Sequence, residues 1–232
     1  DRSGSGGATL PIGGMYDVDE FFLEVGIPVT NDISVDAGFR SAEYSTGAET
    51  DSTKVGAYWT VNDNVSLRAS FQTAQRHASI SELYSAVSDG LVDLDNDPCS
   101  IQQNGSAATA TQAQCAATGL AANLYNTDLN SPADQYNIKG GGNPLVAPEE
   151  SESITIGAVI TPESVPGLTL TIDYFDITVE DGIGTVSAKT ALDKCVSTGT
   201  AQYCDLINRQ AVTGSLWLQG GYISQQLTNI GE

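Results

Sequence analysis

The chain has 232 residues, of which 29 are acidic and 9 are basic, so its formal net charge is −20 at pH 7. This charge argues against a nucleic-acid-binding protein, because phosphate neutralisation needs clusters of Lys and Arg. Only 16% of the residues are charged and 40% are hydrophobic, which excludes a charge-rich disordered chain. No apolar run approaches the ~18 residues of a transmembrane helix. Residues 1–10 contain no apolar segment of a signal peptide, so we expect any targeting segment to be missing.

Apolar and polar residues alternate with a period of two along much of the chain, which is typical of β-strands with one buried face. Alternating segments are found at 20–27, 33–40, 63–72, 153–160 and 168–175. The segment Lys54–Val61 predicts a further short strand. Short turns are predicted between these strands, at residues 28–32, 60–64 and 161–167.

The opposite ends of the strands are predicted to carry two long loops, residues 76–148 and 181–214. The second loop is expected to contain two short helices, Val186–Val196 and Ala201–Arg209. Short turns at one end and long loops at the other are typical of outer-membrane barrels, whose apolar strand face meets lipid. A soluble β-sandwich is the alternative, since its strands alternate in the same way, although so long a loop suits it less.

We therefore predict an all-β fold, in which an antiparallel β-meander comes from an outer-membrane-type barrel wall and the long loops carry short helices. In such a wall the polar strand face meets the lumen, so polar side chains such as Arg40, Arg68 and Gln72 are expected to line a solute path or to contact lumen water.

Four cysteines lie in two local pairs, one in each long loop. Four cysteines permit three pairings, and pairing within each loop closes the shortest loops. An acidic, Lys-poor chain with paired cysteines indicates an oxidising compartment, so we expect the disulfides Cys99–Cys115 and Cys195–Cys204. A cysteine-based metal site is not indicated, because neither pair has C-x-x-C spacing and His77 is the only histidine.

The sequence predicts no catalytic site, no cofactor and therefore no enzyme. No G-x-S-x-G motif surrounds a serine, and the glycines at 140–142 are followed by Asn-Pro rather than by the Lys of a phosphate loop. Asp93, Asp95 and Asp97 have the spacing of a calcium loop, but its glycine is absent and Asn104 occupies the position of its bidentate Glu. These acids are a weak calcium candidate, and a solvated acidic loop is the main interpretation.

Two segments of the chain contain recognisable motifs. The segment FQTAQRHASISELY, residues 71–84, has an Arg at the end of a predicted strand and a Glu-Leu shortly after it. It resembles the TonB-dependent outer-membrane receptor family, in which such a strand ends in Arg-Ala-Pro and is followed by Glu-Leu. Its matching residues include Arg76, Glu82 and Leu83, whereas His77 departs from the usual pattern.

The second motif, GNPLVAPEES at residues 142–151, resembles the family segment that opens the next strand. Its matching residues include Asn143, Pro144, Pro148 and Glu149. Three weaker resemblances occur in the family's order, at residues 16–24, 173–177 and 195–209. Together these five segments cover nearly the whole chain.

The resemblance implies a receptor that imports a scarce solute, such as an iron chelate, a vitamin or an oligosaccharide, across the bacterial outer membrane. It also implies three partners: the rest of the barrel, the plug that gates it, and TonB, which contacts the N-terminal part. Neither the plug nor the aromatic end of the last strand is recognisable. Residues 1–232 are therefore expected to form a single partial barrel domain from the internal or C-terminal part of the wall.

A second possible function is suggested by the two edge strands of such a partial barrel wall. An open run of strands has two edges with unpaired N–H and C=O groups, which lipid does not tolerate. Either the rest of the receptor pairs with them, or identical copies add strand to strand into an extracellular filament without transport activity. A soluble solute-binding β domain is the third and least supported reading, because no closed core or pocket can be inferred.

Overall fold

The structure, a computed structural model, describes residues 11–231 and is mostly β-strand. In chain order the strands are β1 (Val18–Pro28), β2 (Ile33–Tyr44), β3 (Glu49–Asn62), β4 (Val65–Arg76), β5 (Ser88–Asp93), β6 (Gln135–Gly141), β7 (Glu149–Ile160), β8 (Leu170–Glu180), β9 (Gly182–Gly184), β10 (Ile207–Asn208), β11 (Tyr222–Gln226) and β12 (Thr228–Ile230). The α-helices are α1 (Ile80–Tyr84), α2 (Gln112–Ala117), α3 (Ala188–Thr198) and α4 (Ala201–Cys204). None of the helices between residues 11 and 231 is long and apolar enough to cross a membrane.

The described chain divides into two compact units, each built from separate stretches of sequence. The unit that we call the sheet unit consists of residues 14–80, 146–183 and 229–231. The other, the loop unit, consists of residues 11–13, 81–145 and 184–228. The single partial barrel domain expected from the sequence stays a prediction.

The sheet unit contains a six-stranded antiparallel sheet in the order β1-β2-β3-β4-β7-β8. The antiparallel meander predicted from the alternating segments is thus confirmed. At the short-turn end, the Thr30 hydroxyl accepts the N–H of Asp32 (3.2 Å) between β1 and β2. Between β3 and β4, the Asn62 side chain accepts the N–H of Asn64 (2.9 Å). Such side-chain bonds to the backbone two residues on stabilise tight turns.

The two faces of this sheet differ in polarity, because residues directly opposite each other on neighbouring strands share a face. One cross-strand row on the apolar face reads Val25, Ala37, Val55, Phe71 and Ile154. A row on the polar face reads Glu24, Gly38, Lys54, Gln72 and Ser153. The apolar face is exposed; for example, the exposed fraction is 54% at Val55 and 57% at Ile156.

The loop unit has a hydrophobic core and a four-stranded sheet of its own, in the order β10-β11-β6-β5. Strands β11 and β6 pair in parallel, unlike the strands of the large sheet. Its largest core cluster includes the fully buried side chains of Tyr136, Leu216 and Ile223, packed against α3 through Leu192. The residues predicted as two loops therefore fold together, and only the two helices of the second loop were predicted.

Helix α3 begins after Ser187, whose hydroxyl accepts the N–H of Thr190 (3.1 Å), and ends at Gly199, which adopts a left-handed φ of 68°. Serine caps and left-handed glycines are common helix boundaries. Because the glycine stops the helix, the chain can turn directly into α4. Both helices lie close to their predicted positions, although α4 is shorter and ends at Cys204.

Candidate functional site

The polar face of the sheet unit carries ion pairs that join strands. Arg68 on β4 and Asp173 on β8 form a bidentate pair, with Nη2 at 2.7 Å and 2.8 Å from the two carboxylate oxygens and Nε at 3.0 Å from Oδ1. Both residues lie directly opposite Gly157 on the intervening strand β7. A Cβ atom at Gly157 would collide with Asp173 Oδ1 and lie 2.8 Å from Arg68 Nε. The glycine therefore leaves the space through which the pair crosses β7.

A second ion pair also uses the space beside a glycine, but it joins two neighbouring strands. Asp36 on β2 lies directly opposite Gly56 on β3, and its carboxylate occupies the space where a side chain at Gly56 would lie. It meets Lys54 with a separation of 3.1 Å between Oδ2 and Nζ. Arg40 pairs with Glu20 on the same face. The basic side chains on the polar face, Arg40 among them, are therefore each paired with an acidic side chain.

The two family-like motifs meet at the end of the sheet opposite the short turns. Arg76 is the last residue of β4 and Glu149 is the first residue of β7, and the two are directly opposite each other. Their side chains pair with 2.5 Å between Nε and Oε2, while Glu149 Oε1 accepts the N–H of Ile183 (2.7 Å). Pro148 directly precedes the strand. With this pair, every basic residue in the described part of the sheet unit is in an ion pair.

Other motif residues meet within the loop unit. The N–H of Asn143 donates to the carbonyl of Glu82 (2.8 Å), and the Asn143 side-chain amide donates to the carbonyl of Leu227 (2.9 Å). Leu83 is only 2% exposed. Pro144 follows Asn143, so the chain bends away from β6 at this point. These contacts show that the motif residues fix the ends of chain segments; nothing in them indicates catalysis.

His77, which departs from the family pattern, lies in an aromatic cluster of the sheet unit. Its ring centroid lies 4.1 Å from that of Tyr44 and 5.1 Å from that of Tyr16, and Thr46 Oγ1 lies 3.0 Å from His77 Nε2. The Nδ1 atom is buried and has no hydrogen-bond partner among the described residues. Burial, together with the positive charge of Arg76, lowers the pKa of His77 below its usual value.

Both predicted disulfides are present in the loop unit. Cys99 is bonded to Cys115 and Cys195 is bonded to Cys204. The first bond ties α2 to the loop that follows β5, and the second ties α3 to α4. Each disulfide restricts the conformations of a surface segment. Binding residues are commonly found on such segments.

A buried ion pair connects the two parts of the loop unit. Arg209 Nη1 and Nη2 lie 2.6 Å and 3.0 Å from the two oxygens of Asp97. Arg209 also donates from Nε to Thr118 Oγ1 (2.7 Å) and from Nη1 to the carbonyl of Gly214 (2.9 Å). The Asp97 carboxylate in turn accepts the N–H of Cys99 (2.9 Å). Because the two charges face each other and each has further hydrogen-bond partners, the burial of the pair does not leave either charge uncompensated.

This pair includes one residue of the weak calcium candidate. Of Asp93, Asp95 and Asp97, the last has its carboxylate committed to Arg209 and to the backbone. Across residues 11–231, no three His, Cys, Asp or Glu side chains are grouped so that they could hold a metal ion. The spacing in sequence resembled a calcium loop, but the chain does not bring the three carboxylates together.

Two structural features were not predicted from the sequence. Gly157 occupies an ordinary polar-face position, and only the register reveals that an ion pair crosses it. Arg209 lies inside a family-like segment, yet its partner Asp97 is 112 residues away. The available signal was charge: Arg209 is one of few basic residues in a strongly acidic chain.

The chain matches a known protein family over nearly its whole length. The family model described as TonB dependent receptor-like, beta-barrel matches residues 4–232. The crystal structure of the siderophore receptor PirA from Pseudomonas aeruginosa aligns with a TM-score of 0.53 at 12% identity, covering 93% of this chain and 29% of that one. A mutant of the ferric enterobactin receptor PfeA from the same organism, in complex with enterobactin, aligns with a TM-score of 0.56 at 12% identity, covering 93% and 23%.

These alignments carry information about the fold alone, because the identities are low. The chain spans less than a third of the length of these solved receptors. The comparison with curated proteins found no match.

Proposed function

We propose, because the chain belongs to the TonB dependent receptor-like β-barrel family, that its protein imports a scarce solute across the bacterial outer membrane. The family consists of transporters rather than enzymes and implies an outer-membrane location. The solute classes that we propose are an iron chelate, a vitamin or an oligosaccharide. The siderophore receptors among the solved relatives favour the first of these.

The observation that carries this proposal is the opposite polarity of the two sheet faces. Apolar side chains such as Phe71 and Ile156 form an exposed band on one face, and the ion pairs lie on the other. A soluble protein would leave so large an apolar face in water, which is unfavourable. In a membrane wall the same face contacts lipid and the polar face meets an aqueous lumen.

We assign two roles to residues 1–232 within one partial barrel domain. The large sheet supplies six wall strands, and the loop unit supplies disulfide-clamped segments at the cell exterior. The two long connections of the chain, which follow β4 and β8, begin at the end of the sheet opposite the short turns. Long segments at that end are extracellular in outer-membrane barrels. The remaining wall strands, the plug and TonB are the partners that transport would require.

Cysteine labelling in intact bacteria tests this topology in the complete protein. The four cysteines of residues 1–232 are disulfide-bonded, so a cysteine-free version of the remaining protein with one added cysteine reports on that position alone. Ala107→Cys lies at an exposed loop-unit position, and Asp63→Cys lies in the short turn between β3 and β4. A membrane-impermeant maleimide should label position 107 in intact cells and position 63 only after permeabilisation. Equal labelling of both sites in intact cells contradicts the proposal.

A filament of identical copies is the second candidate, and the edges of the sheet favour it. Among the described residues, β1 pairs only with β2 and β8 pairs only with β7, so each has one open edge. Open edges accept strands from any matching chain. Size-exclusion chromatography without detergent, followed by electron microscopy, separates the candidates. Regular filaments support the second candidate, whereas a species of monomer size eliminates it.

A further inference from the structure

A polar depression of about 610 Å³ lies on the surface of the loop unit. Its size falls within the range of small-molecule sites, which is roughly 300–1,000 Å³. Its polar and aromatic walls are formed mainly by Gln102, Gln103, Asp128, Asn130, Asp134 and Trp217. None of these residues belongs to the family-like motifs or to the ion pairs described above.

The side-chain amide donors of the two glutamines in this depression are already used inside the protein, and the Asn130 amide uses one of its two N–H groups to donate to the carbonyl of Ile101 (2.7 Å). The Gln102 amide donates to the carbonyls of Asp97 (3.3 Å) and Ser100 (2.9 Å). The Gln103 amide donates to the carbonyl of Asp95 (3.3 Å) and to Asp134 Oδ1 (2.5 Å). An amide nitrogen has two N–H groups, so both glutamines keep only their carbonyl oxygens for a ligand.

The charged groups that line the depression are both hydrogen-bond acceptors. Asp128 and Asp134 are exposed, and neither is in an ion pair with another described residue. Each has one carboxylate oxygen, Oδ2, that takes no hydrogen bond from the described residues, since Asn130 N–H and the Gln103 amide both donate to Oδ1. Ionised carboxylates accept hydrogen bonds and donate none.

Trp217 adds an aromatic ring to the acceptor groups that line the depression. Its only donor, Nε1–H, is directed to the carbonyl of Leu129 (3.2 Å), so the ring offers a ligand a π surface and no N–H. An indole face attracts cations through its quadrupole. An anionic ligand would meet two carboxylates and no free amide donor from either glutamine, and repulsion would exclude it.

We propose that this depression binds an organic cation with several N–H donors, such as an amine or a guanidinium compound. The carboxylates of Asp128 and Asp134 accept its N–H groups, and the Trp217 ring contacts its charged or methylene portion. The site is held by the Cys99–Cys115 crosslink and by the hydrogen bonds of Gln102, so little ordering is required on binding. This proposal rests on the proposed function in one respect: the loop unit must lie outside the cell, where external solutes can reach it.

Calorimetric titration of the complete purified protein with spermidine tests this site. The double variant Asp128→Asn, Asp134→Asn keeps side-chain size and should weaken spermidine binding about tenfold or more, because two charged contacts with the ligand are lost. The matched control is Asp89→Asn, Asp205→Asn, which changes the net charge equally at exposed loop-unit positions outside the depression. The control should retain the affinity of the unmodified protein.

Equal weakening in both double variants shows general attraction to an acidic protein and overturns the site. Binding of neutral maltotriose at this site in place of spermidine overturns the ligand class. An unchanged melting temperature in each variant separates binding effects from misfolding. Because the titration needs no transport, it distinguishes failure of this site from failure of the receptor topology, which cysteine labelling reports independently.

Discussion

Arg68 and Asp173 lie on strands that do not pair with each other, yet their side chains form a bidentate ion pair across β7. The contact depends on Gly157, which lies directly opposite both residues and has no side chain to separate them. Asp36 similarly reaches across the space above Gly56 to Lys54. Glycines on the polar face thus set where charges meet, and with that the local charge presented to a solute in the proposed lumen.

Gly157→Ala is expected to break this ion pair, because the new Cβ occupies the position of Asp173 Oδ1. Crowding of this kind costs about 1–3 kcal/mol, whereas the half-exposed ion pair itself contributes under about 1 kcal/mol. We expect a lower melting temperature of the complete protein. Gly26→Ala is the matched control, since Gly26 lies on the same sheet and a Cβ there meets nothing within 4 Å. Equal effects of the two substitutions would contradict the steric explanation.

The strands were predictable because apolar and polar residues alternate along a strand whose two faces meet different environments. Leu67, Ala69 and Phe71 share the apolar face that the alternation assigned to them. The same pattern does not specify register, so neither the crossing at Gly157 nor its partners could be predicted. The short strands of the loop unit were missed because two to seven residues are too few to establish a period.

Loss of either charge from the buried pair should strongly destabilise the loop unit. Arg209 and Asp97 have side chains only 2% and 0% exposed. Removing one partner leaves a buried, uncompensated charge, which costs about 3–5 kcal/mol. Arg209→Met is therefore expected to increase thermolysin cleavage within residues 81–145 and 184–228, as mapped by mass spectrometry.

A surface pair provides the control for this experiment. Lys189 and Asp193 pair at 2.7 Å on the exposed side of α3 and are 70% and 56% exposed. Exposed helix pairs contribute about 0.3–0.5 kcal/mol, so Lys189→Met should leave the cleavage pattern unchanged. If both variants are cleaved like the unmodified protein, the buried pair does not stabilise the unit.

The sequence separation of this pair explains why the loop unit was predicted as two loops. Asp97 and Arg209 are 112 residues apart, and the core residues Tyr136 and Leu216 are also distant in sequence. Sequence patterns describe residues that are close together along the chain. This core forms only when residues 81–145 and residues 184–228 pack against each other. The disulfides were predictable because both close short segments, for which loop-closure entropy favours local pairing.

Loss of the Cys99–Cys115 bond should loosen the loop unit while leaving the large sheet folded. The Cys99–Cys115 bond closes a segment of 16 residues, and a loop of that size corresponds to about 3 kcal/mol of stabilisation. The double variant Cys99→Ser, Cys115→Ser should accelerate amide hydrogen exchange at residues 99–129. Exchange in β3 and β4 should not change. Faster exchange throughout both units would mean that the disulfide supports the whole fold.

His77 should make stability depend on pH between neutral and mildly acidic conditions. Its pKa is lowered in the folded protein, chiefly by burial and also by the charge of Arg76. The unfolded chain therefore takes up the proton first as pH falls below about 6.5, and stability decreases until the folded-state pKa is passed. Above that range the neutral ring contributes its full packing between Tyr16 and Tyr44.

His77→Phe tests this pH dependence, because phenylalanine keeps an aromatic ring in the cluster and cannot be protonated. The variant loses the contact with Thr46 (3.0 Å), but it also removes the buried Nδ1 that has no partner among the described residues. We expect a melting temperature close to that of the unmodified protein at pH 8 and a higher one at pH 5. His77 is the only histidine in the chain, so an unchanged difference between pH 8 and pH 5 in the variant would assign the pH dependence to groups other than this ring.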